Sequence, residues 1–246
     1  MIIGFCGSGN MAAAMARGLQ GEVDDLLFSD SGSGRAVERA AELGGEAVGS
    51  NSELAQRADV VVLAVKPARL DQVASELGGA KMIVSLLGAT SLDRVRGAFP
   101  DSEVIRVMPN VGVEVRKGVL CVAGEPDAVV RSLLDGLGHV VELPDSQFDA
   151  ATAVMGCAPA YLALAIEAIA DAGAAAGLDE ELARELVVET TAGTAELLRV
   201  RHPADVRKAV ASPGGSTEAG LEALDREGAR EAFEAAVRAS LERMRG

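Results

Sequence analysis

An α/β fold, with a mostly parallel sheet in its N-terminal half and an all-α C-terminal half, follows from three observations. From Met1 to about Pro144 short β-rich runs alternate with helical patterns, which is the signature of βαβ units. The early runs are near-continuously apolar, as strands buried on both faces should be. From Phe148 onward no convincing strand occurs.

The expected strands, in order, are Ile2–Cys6, Asp25–Phe28, Val60–Val65, Lys81–Leu86, Val104–Val107, Gly118–Ala123 and Val140–Glu142. The loop Ser29–Gly34 and the Gly44-Gly45 pair punctuate them. The expected helices of the second half are Ala150–Ala175, Glu180–Val200, Pro203–Ala211 and Arg230–Arg245. Gly177 stands where a C-cap glycine belongs, and Asp179 can N-cap the next helix. Pro159 either kinks the first long helix or marks its true start. With no linker of biased composition, the boundary is expected near Pro144–Phe148, giving domains 1–146 and 147–246.

The first strand runs into Gly7-Ser-Gly-Asn-Met-Ala12, a GxGxxA turn that opens a helix through Leu19. Gly7 allows the tight turn, Gly9 lets a pyrophosphate approach the backbone, and Ala12 permits close helix–strand packing. The helix N-terminus supplies free N–H groups and partial positive charge to phosphates. The motif alone is weak; after an N-terminal strand, with a second strand ending at Asp30, it indicates a Rossmann-type nicotinamide dinucleotide site. Asp30 falls where an acidic residue would bind a ribose 2′-OH, which favours NAD. Ser31, Ser33 and Arg35 instead suit a 2′-phosphate. NADPH is the expected cofactor, with NADH also possible.

Further along, Val60–Val65 ends in Lys66-Pro67. Strand C-termini border the ligand crevice of such sheets, so Ala64, Val65, Lys66 and Pro67 are expected at its edge. Asn110, in Arg106-Val-Met-Pro-Asn110, either bonds nicotinamide or substrate or simply forms a turn. In the helical half, Ala211-Ser-Pro-Gly-Gly-Ser-Thr217 leads into a helix and forms either an anion site or a capped turn. There Ser212, Ser216 and Thr217 offer hydroxyls to a carboxylate-bearing substrate.

Several classes are disfavoured. A net charge of −14 argues against a nucleic-acid partner. Cys6, Cys121 and Cys157 suggest neither a disulfide framework nor a metal site. The N-terminus does not read as a signal peptide, and no run approaches the roughly 20 apolar residues of a membrane span. A soluble cytoplasmic protein is expected. With no Trp and one Tyr, the core is Ala, Val and Leu, which favours added burial by oligomerising. His139, His202 and a single helical-half lysine, Lys208, are few candidates for the proton acceptor of an alcohol dehydrogenase. A protonated cyclic imine needs only hydride and orientation, which a hydroxyl such as Thr217 can provide.

Taken together, Ile3-Gly-Phe-Cys-Gly-Ser-Gly-Asn-Met-Ala12, Leu63-Ala-Val-Lys-Pro67, Arg106–Asn110, Pro159-Ala-Tyr161 and Val210–Thr217 with Gly220-Leu221 resemble the pyrroline-5-carboxylate reductase family. The resemblance covers nearly the whole chain. It implies NAD(P)H-dependent reduction of L-1-pyrroline-5-carboxylate to L-proline, the last step of proline synthesis. It implies a homodimer through the helical domain, with decamers common. Ser212 and the Gly214, Gly215, Ser216 and Thr217 backbone would take the carboxylate, and Thr217 would hydrogen-bond the ring nitrogen. That makes Thr217 and Ser212 the expected catalytic pair. Gly7, Ser8, Gly9, Asn10 and Met11 would face the cofactor, and Asn51 matches an asparagine near its adenosine half.

Three segments depart from the family pattern. Gly156-Cys-Ala-Pro-Ala-Tyr161 replaces G-S-G-P-A-Y, and Ser85-Leu-Leu-Gly-Ala89 is a poor S-x-A-A-G. Val200-Arg-His-Pro203 lacks the usual acidic residue. They motivate two alternatives: reduction of another cyclic imine acid, or a non-catalytic cofactor-binding regulator. A hydroxyacid dehydrogenase fits less well, because Lys208 lies beside the Ser-Pro-Gly-Gly segment rather than inside a long core helix.

Overall fold

A computed structural model describes residues 1–245. By contacts the chain divides into two units, one of Met1–Cys157 with the chain's end from Leu241, the other of Ala158–Ser240.

In the first unit the order is β1 (Ile2–Cys6), α1 (Asn10–Leu19), β2 (Asp25–Ser29), α2 (Arg35–Leu43), β3 (Glu46–Ala47), α3 (Asn51–Arg57) and β4 (Val60–Leu63). Then come α4 (Leu70–Glu76), β5 (Met82–Ser85), α5 (Leu92–Ala98), β6 (Glu103–Pro109), β7 (Gly118–Ala123), α6 (Ala128–Leu137), β8 (Gly138–Glu142) and α7 (Phe148–Ala151). The strands form one sheet in the order β3-β2-β1-β4-β5-β6-β7-β8. Every pairing is parallel except β6 with β7.

Alternation along the strands builds a core on each face. Ile3, Phe5, Val60, Val62 and Val84 pack with α1, α2 and α6. Leu27, Val61, Leu63 and Ile83 pack with α3, α4 and α5. This is the doubly wound arrangement expected of continuous apolar strands. The two-residue β3 had no periodic signal to announce it. Val60–Val65 pairs only to Leu63, because the next residues turn off the sheet.

Grouping by contacts places the division at Cys157/Ala158, beyond the expected domain boundary at 146/147. Residues up to Cys157 belong to the sheet unit, because Phe148 is fully buried in the core over α5. The expected helix Ala150–Ala175 is also broken. A π-turn at Thr152–Gly156 ends with the Cys157 N–H on the Thr152 carbonyl at 3.1 Å, and the next helix begins at Ala158 with Pro159 in its first turn. Pro159 therefore marks the true start.

The second unit holds α8 (Ala158–Ala175), α9 (Glu180–Leu198), α10 (Pro203–Val210), α11 (Ser216–Arg226) and most of α12 (Ala229–Arg245). Gly177, at φ +104°, closes α8 in a Schellman motif: its N–H reaches the Ala174 carbonyl and that of Leu178 the Gly173 carbonyl. Asp179 then caps α9 through the Glu181 and Leu182 N–H groups. The Tyr161 hydroxyl shares a 2.5 Å hydrogen bond with Ser240. Large apolar side chains, among them Leu162, Leu164, Ile169, Leu186 and Val188, stay exposed.

Contrary to expectation, one helical stretch, Asp145–Ala175, is long and apolar enough by length and composition to cross a membrane. Its alanines raise the mean hydropathy without forming the unbroken large-residue run the eye looks for.

Candidate active site

Strand order reverses between β1 and β4, and a ligand crevice is expected at that reversal. There the structure has an open cavity of about 910 Å³. Of the predicted cofactor residues, Gly7, Ser8, Gly9, Asp30, Ser31, Arg35, Asn51, Ala64, Val65 and Lys66 line it.

The two turn glycines do different work. Gly7 sits at φ +98°, and a Cβ there would lie 2.6 Å from the Ala64 carbonyl oxygen, so the fold itself requires glycine. Gly9 is the N-cap of α1 in ordinary extended geometry, φ −77° and ψ −176°, and no side chain caps the helix. A Cβ on Gly9 would meet nothing within 4 Å. Protein packing does not require glycine here, and its absence of a side chain leaves the α1 N–H groups open to an approaching anion.

Asp30 is committed to its own loop. Its carboxylate accepts from the N–H groups of Gly32, Ser33 and Ala36 and from the Ser33 hydroxyl, at 2.6–3.1 Å. Burial works against its ionisation, but the Ala36 N–H, the Ser33 hydroxyl and the other two N–H groups together hold the carboxyl below the usual range. Asp30 thereby shapes the turn that presents Ser31 and Arg35, both exposed at the cavity. Ser33 is used within the turn, donating to Asp30 and accepting from Arg35 Nε at 3.2 Å.

Asn51, the first residue of α3, accepts from Ser29 Oγ at 2.6 Å and from the Cys6 thiol at 3.4 Å, and donates to Glu76 at 2.6 Å. It ties β1, β2 and α4 together at the cavity floor. Burial pushes the Cys6 thiol up to about 12, so it stays a neutral donor. Hydrogen bonds from Gln72 and Asn51 hold Glu76 below the usual carboxylate range.

Sequence reasoning missed Cys6, Ser50, Arg69, Gln72 and Glu76 in the lining. Arg69 follows Lys66 by one 3₁₀ turn, Pro67–Arg69, and that spacing was the available signal. Arg35, Lys66 and Arg69 put three cations around the cavity of a chain whose net charge is −14. Asp30 and Glu76 line it too, each engaged in hydrogen bonds of its own, so the lining carries a small excess of positive charge, which suits an anion.

Asn10, Met11, Ser33, Pro67 and Asn110 lie outside the lining. Met11 packs on the core instead. Asn110 is occupied by backbone: its oxygen accepts from Gly112 and Val119, and its amide donates to the Met155 carbonyl of the π-turn at 3.2 Å. Of the two readings of Asn110, the turn is the one the structure supports.

Ser212, Gly214, Gly215, Ser216 and Thr217 lie together in the second unit. Gly214, at φ +72°, makes the turn, and the Gly215 N–H donates to the Ser212 carbonyl at 2.9 Å. Gly215 is the N-cap of α11 and no side chain caps the helix, so neither Ser216 nor Thr217 is spent on capping. Ser212, Ser216 and Thr217 are exposed, and Glu218 accepts the Gly214 N–H at 2.6 Å.

The crevice, its uncapped helix and its cations define a dinucleotide-binding oxidoreductase, and residues 2–88 match the family described as NADP oxidoreductase, coenzyme F420-dependent. Residues 145–246 match the one described as pyrroline-5-carboxylate reductase dimerisation. The chain belongs to the pyrroline-5-carboxylate reductase family. It is 43% identical to the pyrroline-5-carboxylate reductase of Synechocystis sp. over 204 residues, 78% of this chain and 76% of that one. It superposes on the 1-pyrroline-5-carboxylate reductase of Streptococcus pyogenes with a TM-score of 0.89 at 31% identity, covering 99% and 98% of the two chains. For the pyrroline carboxylate reductase of Plasmodium falciparum with NADP bound, the TM-score is 0.88 at 26% identity, covering 99% and 97%.

Proposed function

We propose that this chain is an NAD(P)H-dependent pyrroline-5-carboxylate reductase of proline synthesis. A single observation carries the reading: one chain holds the dinucleotide crevice, an exposed hydroxyl-bearing helix start, and likeness to these reductases along almost its full length. The bound cofactor supplies the hydride, which adds to the carbon of the C=N bond while the nitrogen keeps or takes a proton.

The remaining work belongs to the protein. The α1 N–H groups and Gly9 hold the pyrophosphate. Ser31 and Arg35 receive a 2′-phosphate, which favours NADPH, because Asp30 has its oxygens filled by its own turn. Ser212 and the N–H groups of Ser216 and Thr217 take the substrate carboxylate, and the Thr217 hydroxyl orients the ring nitrogen. Gly214 contributes through the turn rather than through its N–H, which Glu218 occupies.

Mixing the protein with the imine and each reduced cofactor at equal concentration should oxidise NADPH faster than NADH. Arg35→Ala should raise KM for NADPH about tenfold and leave NADH little changed, a loss of about 1.4 kcal/mol of charge-assisted binding. No turnover with either cofactor would sink the activity, and equal effects on both cofactors would sink the preference.

The exposed apolar faces of α8 and α9 are assigned to a second copy of the chain rather than to a membrane, because residues 145–246 match a dimerisation family. A decamer built from such dimers is the further assembly we propose. A mass of 25.1 kDa by light scattering, that of one chain, would overturn both. Three free cysteines suit a reducing, cytoplasmic setting.

A further inference from the structure

A dinucleotide laid over the strand reversal, with its adenosine end above β2, carries its nicotinamide end above β4 and β5. The loop Leu86–Ser91, between β5 and α5, stands at that end of the sheet. It is held in an unusual shape. Ala89 sits at φ +50°, where a residue with a Cβ is strained. Ser85 is fully buried and its Oγ accepts the Leu87 N–H at 3.4 Å; the Thr90 hydroxyl donates to the Gly88 carbonyl at 3.1 Å.

The far end of this loop is fastened from a distant part of the chain. One oxygen of Asp145 accepts the Leu92 N–H, the first of α5, at 3.0 Å. The other takes Nη1 of Arg106 at 2.8 Å. Arg106 stands opposite Ser85 in the β5–β6 register. Its side chain is 4% exposed, its guanidinium lies 4.5 Å over the ring of the buried Phe148, and its Nε has no partner. Asp145 is 28% exposed, so only the arginine end of the pair is buried. A buried guanidinium with an unsatisfied N–H is a poor way to stabilise a fold, since apolar replacements often do as well. It is a good way to hold one loop in one strained geometry.

We propose that Asp145 and Arg106 are positioning residues: their pair fixes the β5–α5 loop against the nicotinamide half of the cofactor and so aligns hydride transfer. The link to hydride transfer rests on the reductase reading; the link to the nicotinamide half does not.

Two variants test it: Asp145→Ala, and the paired replacement of Arg106→Met with Asp145→Leu, which does not leave the buried guanidinium without its partner. Binding of NADPH is compared with that of 2′-phospho-ADP-ribose, which lacks the nicotinamide end. Wild type should bind NADPH more tightly than the fragment. The variants should lose that advantage, about tenfold, while fragment affinity holds. Amide exchange across residues 86–92 should quicken in step, and kcat should fall about tenfold with little change in KM for the imine.

An advantage unchanged in the paired variant, absent in wild type, or lost only together with fragment affinity would overturn the proposal. So would faster exchange with an unaltered advantage. If wild type binds NADPH but reduces no cyclic imine, the reductase reading fails, and the fragment comparison still decides the loop's role.

Discussion

Gly9→Val protein should fold and melt within a few degrees of wild type, yet bind NADPH at least about 100-fold more weakly. The two halves of this expectation come from different observations. Stability should survive because Gly9 has φ −77° and ψ −176°, which any residue adopts, and a Cβ there would meet no protein atom within 4 Å. Valine is a poor N-cap, at a cost of about 1 kcal/mol, or roughly 2–4 °C for a chain of this size. Binding should fail because the new side chain would fill the space through which a pyrophosphate would reach the α1 N–H groups. A hundredfold loss is about 2.7 kcal/mol, reasonable for several charge-assisted hydrogen bonds kept apart.

The contrast is Gly7→Val, two residues earlier, where φ +98° and a 2.6 Å approach to the Ala64 carbonyl strain the fold itself. Calorimetric titration and a melting curve on both variants check the pair. Gly9→Val protein with wild-type affinity would mean that the crevice does not hold the pyrophosphate.

Thr217→Ala should lower kcat by about 10–100-fold and leave NADPH affinity and melting temperature unchanged. The range corresponds to about 1.4–2.7 kcal/mol, close to the worth of a hydrogen bond to a charged group. Stability should not move, because Gly215 caps α11 and the Thr217 side chain is exposed. Thr217→Ser should recover most of the rate by restoring the hydroxyl. Steady-state kinetics with the imine varied will separate kcat from KM. Wild-type rates from the alanine variant would remove the ring-nitrogen role.

Local features were legible in the sequence because local rules govern them. β1, the glycine turn and α1 follow from an apolar run meeting a GxGxxA spacing, and Gly177 and Asp179 followed from helix-end chemistry. The cavity's far wall was hidden. Arg69, Gln72 and Glu76 come from α4 and the turn before it, and only the packing of α4 beside β1 and β4 brings them to Gly7. Asp30 was legible as a position but not as a role: its neighbours' N–H groups claim the oxygens that a ribose would need. Asn110 gave two readings of equal merit, and its contact with Met155 favours one.

By itself, the sequence determined the doubly wound sheet, the glycine turn that opens α1 and the helix start at Ser216. Each depends on residue type at short spacing, where backbone geometry leaves few alternatives. The tertiary structure decided what depends on residues far apart in the chain. It buried Phe148 in the core of the sheet unit, and it joined Arg106 to Asp145 across 39 positions, beside the strained β5–α5 loop. Burial and pairing of this kind are properties of the packed whole, and no local pattern announces them.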